Sequence, residues 1–139
     1  MNWNRTTVLV TGAGGFIGSH LTERLASLGA RTRAFVHYNS ANSWGWLNDS
    51  PLKDDVEVIL GDIRDRDSLR SATKNVEVIF HLAALIAIPY SYRTPLSYTR
   101  TNVEGTVNML QAAIDENVNL FVHTSTSEAY GTAQYIPYQ

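Results

Sequence analysis

Two short stretches of this 139-residue chain have residue types and spacings that could do chemistry. In the first, Gly12, Gly15 and Gly18 recur at every third position directly after a β-branched run, Thr6 to Val10. Glycine at the first position allows a tight turn, at the second lets backbone N–H groups approach an anion, and at the third lets a helix pack closely on its strand. An amphipathic helix starts at once, so the unpaired amides of its first turn would face a diphosphate, with Gly14, Phe16 and Ile17 in the same turn. The second stretch is Thr124-Ser125-Thr126-Ser127-Glu128. Consecutive hydroxyls followed by a carboxylate suit hydrogen bonding to a reacting alcohol and removal of a proton from carbon.

The intervening elements must hold these stretches together. The apolar spacing predicts a helix from Phe16 to Leu28, with Ile17, Leu21, Leu25 and Leu28 on one face and Gly29 as its stop. Residues 31–37 read as a second strand, and 39–51 as a polar loop with tryptophans. Val56 to Leu60 reads as a third strand, and Asp65 caps a short helix running to about Lys74. Residues 76–81 read as a fourth strand. Thr94 stands as a capping residue before Pro95, at the start of a helix running to about Asn117. Leu96, Val103, Val107, Leu110 and Ile114 share one side of it, and Asn119 to His123 reads as a fifth strand. Apolar strands alternating with helices predict an α/β doubly wound parallel sheet covered on both faces, with its ligand at the carboxyl ends of the strands.

Further candidates cluster at those ends. Dinucleotide-binding sheets often carry an acidic residue after the second strand, to accept from the adenosine ribose hydroxyls. Here His37-Tyr38-Asn39-Ser40 stand there, with neither a carboxylate for a 2′-hydroxyl nor an arginine for a 2′-phosphate. Asp62 could accept from an adenine amino group while Ile63 packs on the ring. Leu82, Ala83 and Ala84 close the fourth strand with mostly small residues, over which a cofactor could lie flat. His81 and His123, at strand ends, are expected to be structurally satisfied rather than catalytic.

Bulk properties exclude several classes. Hydrophobic residues make up 44% and charged residues 17%, which excludes a disordered polypeptide. A formal net charge of −2 with no basic stripe argues against nucleic acid, in spite of the loop aromatics Trp44, Trp46, Tyr90, Tyr92 and Tyr98. Zero cysteines exclude disulfides and thiolate metal sites, and no metal is expected. No basic-then-apolar leader and no apolar run of about 20 residues is visible, so a cytoplasmic protein without membrane contact is expected.

Taken together, Thr-Gly-Ala-Gly-Gly-Phe-Ile-Gly at 11–18, Gly-Asp-Ile-Arg-Asp at 61–65, His-Leu-Ala-Ala at 81–84, Thr-Asn-Val-Glu-Gly-Thr-Val-Asn at 101–108 and Ser-Thr-Ser-Glu-Ala-Tyr-Gly at 125–131 resemble the extended short-chain dehydrogenase/reductase superfamily of NAD-dependent sugar-nucleotide epimerases and dehydratases. The loop residues 38–47, with 85–92 and 130–135, resemble bacterial UDP-N-acetylglucosamine 4,6-dehydratases of legionaminic-type sugar synthesis. The resemblance implies a Rossmann-type fold and NAD rather than NADP. It also implies a nucleotide-sugar substrate, Asn102 and Thr124 at the cofactor, and a homodimer built on the helix at about 95–117. By the same resemblance Thr126 hydrogen-bonds the sugar C4 oxygen and Glu128 removes the C5 proton. Ser127 stands where dTDP-glucose dehydratases carry an aspartic acid that protonates the leaving hydroxyl.

The family's Tyr-x-x-x-Lys is missing. Tyr130, Tyr135 and Tyr138 have no lysine four residues on, and the last lysine is Lys74. The chain therefore reads as the amino-terminal, dinucleotide-binding portion (1–139) of an enzyme, stopping after the fifth strand and inactive by itself.

Overall fold

The computed structural model describes residues 2–132, apart from the side chain of Ser127. Tyr135 and Tyr138 lie outside the described residues. Five parallel strands, β1 (Thr7–Thr11), β2 (Arg31–His37), β3 (Glu57–Gly61), β4 (Val78–His81) and β5 (Leu120–His123), pair in the order β3-β2-β1-β4-β5. The α/β doubly wound expectation holds, with the strand order reversing at β1. The crevice that accepts ligands in such sheets opens beyond the carboxyl ends at that reversal. Register places Thr11 opposite His81 and His81 opposite His123, so three strand ends finish in one row.

Period-two alternation divides the core. Val8 and Val10 face one way, onto α1 (Phe16–Ser27). Leu9, Phe35 and Ile79 face the other, onto α2 (Arg66–Thr73) and α5 (Gly105–Asp115). Local signals place the breaks. The Asp65 side chain accepts from Asp67 N at 3.0 Å and caps α2. Asn75 and Asn117 follow α2 and α5 at φ 59° and 53°, the left-handed turn that asparagine tolerates.

Two helix faces depart from expectation. In α1 the inward residues are Gly18, Ser19, Thr22 and Leu25, while Ile17 is 68% and Leu28 39% exposed. Contact between Gly18 and the turn at Gly12 sets the helix's rotation, and the apolar stripe yields to it. The long helix is not one regular α-helix. Short helices α3 (Ile88–Ser91) and α4 (Pro95–Tyr98) precede a π-helical stretch, Thr99–Glu104, and then α5. Pro95 stands at the first helical position, but the Thr94 side chain makes no cap and donates to Tyr90 O instead. Leu96, Val103, Val107, Leu110 and Ile114 all face outward, 42–68% exposed. The inner face is Gly105, Asn108, Met109 and Ala113, because Ile63 fills the space that a side chain at Gly105 would need.

Candidate functional site

The glycine turn joins β1 to α1 at the centre of the row of strand ends. Gly12 adopts φ +68°, and a β-carbon there would lie 2.9 Å from Ala83 N, so the turn passes hard against the exit of β4. Within the turn, Gly15 N donates to Gly12 O at 3.0 Å and Ser19 N to Gly15 O at 2.9 Å. The amides of Phe16 and Ile17 have no partner among the described residues. No acidic side chain sits in the first turn of α1, so its positive end is uncompensated.

A cleft of about 390 Å³ opens beside this turn, lined by Gly12, Gly14, Gly15, Val36, His37, Asn39, Ser43 and Gly45. Its far wall is the loop after β2, expected to be polar and found to be held by its own side-chain hydrogen bonds. Asn39 donates to His37 O (3.3 Å) and Ser43 O (2.8 Å) and accepts from Ser43 N (3.0 Å), so its carboxamide shapes the loop. Trp46 N donates to Gly14 O at 3.0 Å, and the Trp46 ring stands edge-on to Phe16 at 5.4 Å. Tyr38 and Ser40 are exposed at the loop's start. Free donors, an open cradle and no lining carboxylate suit an anionic dinucleotide.

Asp62 follows β3 beside the cleft, but its carboxylate is already engaged. It accepts from Arg64 N (2.9 Å), Arg64 Nε (2.9 and 3.0 Å) and Arg64 Nη2, with His37 Nε2 3.6 Å away. The Arg64 guanidinium, working against partial burial, holds this carboxyl below the usual range. An adenine amino group would have to compete with Arg64 for it. Ile63 is only 5% exposed and packs with Leu69 and Met109 in the core. The expectation that its side chain lies on a ring is thereby overturned.

Beyond β4, Leu82 and Ala83 are half-buried and Ala84 is exposed. Thr11 Oγ1 accepts from both Leu82 N and Ala83 N at 3.1 Å. The Asn102 carboxamide takes Leu85 N (2.8 Å) and Leu85 O (2.9 Å), so it fixes this segment with its own polar atoms. His81 is buried and satisfied, as expected, by Thr11 Oγ1 at 2.9 Å and Thr106 Oγ1 at 3.1 Å. His123 is not: it is exposed on edge strand β5, with its ring stacked 5.7 Å from that of His81. Thr11 and Thr106 were missed from sequence, since nothing in local spacing joins residues so far apart in the chain.

After β5 the hydroxyl-rich segment leaves the rim, with Thr124 N on His81 O at 3.2 Å. Thr126 Oγ1 accepts from Glu128 N at 3.2 Å and opens the short 3₁₀ turn Ser127–Tyr130. Thr124, Thr126 and Glu128 are all exposed. Strands spaced by about 4.8 Å put the β5 end roughly 10 Å from the β1 end, so the structure brings this turn and the glycine cradle to one rim.

A family model described as GDP-mannose 4,6 dehydratase matches residues 9–139. The chain belongs to this family of NAD-dependent nucleotide-sugar epimerases and dehydratases. It is 37% identical over 137 residues to UDP-glucose 4-epimerase of Rhizobium leguminosarum bv. trifolii, covering 94% of this chain and 38% of that one. Against dTDP-glucose 4,6-dehydratase of Streptomyces antibioticus the identity is 34%, over 92% of this chain and 39% of the relative. The crystal structure of UDP-glucose-4-epimerase from Stenotrophomonas maltophila, with bound NAD and formylated UDP-arabinopyranose, superposes with TM-score 0.80 at 28% identity. That match covers 96% of this chain and 41% of that one. The chain thus spans about two fifths of the length of the relatives it matches. Family membership agrees with a nucleotide cradle on β1. It leaves epimerase and dehydratase chemistry both open, since each is represented among the relatives. No helix among the described residues is long and apolar enough to cross a membrane.

Proposed function

We propose that this chain is the dinucleotide-binding part of a nucleotide-sugar 4,6-dehydratase that takes a UDP-N-acetylglucosamine-type substrate and NAD. The observation that carries the reading is Thr126 and Glu128 on one exposed turn, two strands from the glycine cradle. NAD, when bound, would supply a redox-neutral loan of hydride, taken from C4 and given back to C6 once water has left. The amides of Phe16 and Ile17 would hold its diphosphate, Tyr38, Asn39, Ser40 and Asp62 would flank its adenosine, and Leu82 to Ala84 with Thr124 would line the reacting half. Among the described residues no lysine or arginine lines the cleft to hold a 2′-phosphate, which supports NAD over NADP.

The Thr126 hydroxyl hydrogen-bonds the C4 oxygen of the sugar. Glu128 removes the C5 proton, which a neighbouring C4 ketone acidifies, and water leaves from C6. Serine is no acid at neutral pH, so a water or a group elsewhere, rather than Ser127, protonates the departing hydroxyl. The Tyr-x-x-x-Lys that takes the C4 hydroxyl proton in the family is not among these residues, so none of them is given that step. The outward apolar stripe from Leu96 to Ile114 supports pairing of two copies.

The second reading is a 4-epimerase, represented among the named relatives but giving Glu128 no task, because inversion at C4 needs no C5 proton transfer. An enzyme containing this chain, incubated with UDP-N-acetylglucosamine in deuterated water, separates them. Deuterium at C5 of a 4-keto-6-deoxy product supports the dehydratase. A C4-inverted product without deuterium at C5 overturns it.

A further inference from the structure

The imidazole of His81 has no part in the chemistry above, yet it stands where three rim segments meet. It is 2% exposed and ends β4, in register with Thr11 of β1 and His123 of β5. Its carbonyl oxygen receives the amide of Thr124, the first residue of the hydroxyl-rich segment. Its two ring nitrogens meet Thr11 and Thr106.

The direction of each proton in this network follows from counting. Thr11 Oγ1 accepts two amides, from Leu82 and Ala83, so its lone pairs are filled and its single proton goes to His81 Nδ1. Thr106 Oγ1 donates its own proton to Asn102 O at 2.7 Å and must therefore accept from His81 Nε2. The ring is thus the neutral tautomer protonated at Nε2. Asn102 carries the network on to Leu85. The amides of Leu82, Ala83 and Leu85 are all taken within the protein, and that of Ala84 has no partner among the described residues.

We propose that His81, as the Nε2–H imidazole, is the positioning residue that, through Thr11 on one side and Thr106 with Asn102 on the other, holds the Leu82–Leu85 wall in place, leaving the Ala84 amide as the group this wall offers a ligand. The inference rests on the reading that a dinucleotide lies across this rim. Its reacting half must then lie beside Thr126 and Glu128, on the β4–β5 side, and its ADP half on the β2–β3 side. A broken relay weakens the grip on the first half and spares the second, whereas general loss of structure weakens both.

The test uses nitrogen-15 NMR of histidine-labelled chain together with calorimetric titration of NAD and of ADP. His81 is expected to show an unprotonated Nδ1 and a protonated Nε2, unchanged between about pH 5.5 and 8. His81→Phe and the milder Thr106→Val are expected to weaken NAD about tenfold while ADP stays within about twofold, and Thr106→Ser, which keeps the hydroxyl, restores NAD. Equal losses for NAD and ADP, no loss in either variant, or a ring protonated at Nδ1 overturns the proposal. If the wild-type chain binds neither ADP nor NAD, the dinucleotide reading itself falls, and this inference falls with it.

Discussion

A β-carbon on Gly18 would stand 2.1 Å from the carbonyl oxygen of Gly12, closer than any real contact. Both partners are backbone, so neither can swing aside. The contact fixes how α1 sits on the turn and where the Phe16 and Ile17 amides point. Gly18→Ala is expected to lose about 1–3 kcal/mol of stability from overpacking, and ADP affinity with it. Urea denaturation and calorimetry check this; a variant as stable and as tightly binding as wild type would refute the close-packing account.

The two faces of α5 should respond oppositely to substitution. Met109 is fully buried against the sheet, so Met109→Ala costs about 2–5 kcal/mol. Val107 is 54% and Leu110 42% exposed, so Val107→Glu and Leu110→Glu change the stability of the isolated chain by only about 0.5 kcal/mol. Comparable destabilisation on both faces would mean that the stripe is packed in solution.

The contrast in α5 also shows where sequence reading stops. The alternation of strands and helices along the chain, the capped α2 and the glycine turn were legible because each depends on neighbouring residues: Asp65 two before Asp67, and Gly12 directly after β1. Periodicity found the apolar stripe from Leu96 to Ile114 and correctly implied helix, but it cannot say which of two faces meets the sheet. That choice was made by Gly105 yielding space to Ile63, a residue in another element. The same limit hid the rim network. The resemblance places Asn102 at the cofactor, and its carboxamide goes to Leu85, 17 residues away.

The role proposed for Glu128 separates proton transfer from binding. In an enzyme containing this chain, Glu128→Gln is expected to slow C5 deuterium exchange by about 10²- to 10⁴-fold while NAD affinity is unchanged, because the side chain stands exposed beyond the cradle. Wild-type exchange rates in Glu128→Gln would remove it from the role of base.

Arg64 governs the ionisation of Asp62. The folded carboxyl is held below its ordinary pKa, first by the Arg64 side chain, so its contribution to stability is present above about pH 4 and is lost as pH falls through the lower folded value. Arg64→Gln is expected to flatten stability in that acid window and leave the neutral range nearly unchanged. It also frees the carboxylate for an adenine amino group, so discrimination between NAD and its hypoxanthine analogue should rise. Unchanged acid unfolding in Arg64→Gln would count against the pair.

His81 titrates in a separate window. Burial, with the neighbouring His123 adding to it, pushes its pKa from 6.5 down to about 4. Between these values the unfolded chain binds a proton that the folded chain excludes, so stability is full above about pH 6.5 and declines as pH falls toward 4, by on the order of 3 kcal/mol. Protonating the ring would put a proton on Nδ1, where Thr11 already directs its own, so acid attacks the relay at that bond. His81→Phe, though less stable at neutral pH, is expected to lose this decline. Urea midpoints measured at about pH 7 and about pH 4.5 for both chains decide it. The same decline in wild type and His81→Phe would place the acid sensitivity elsewhere.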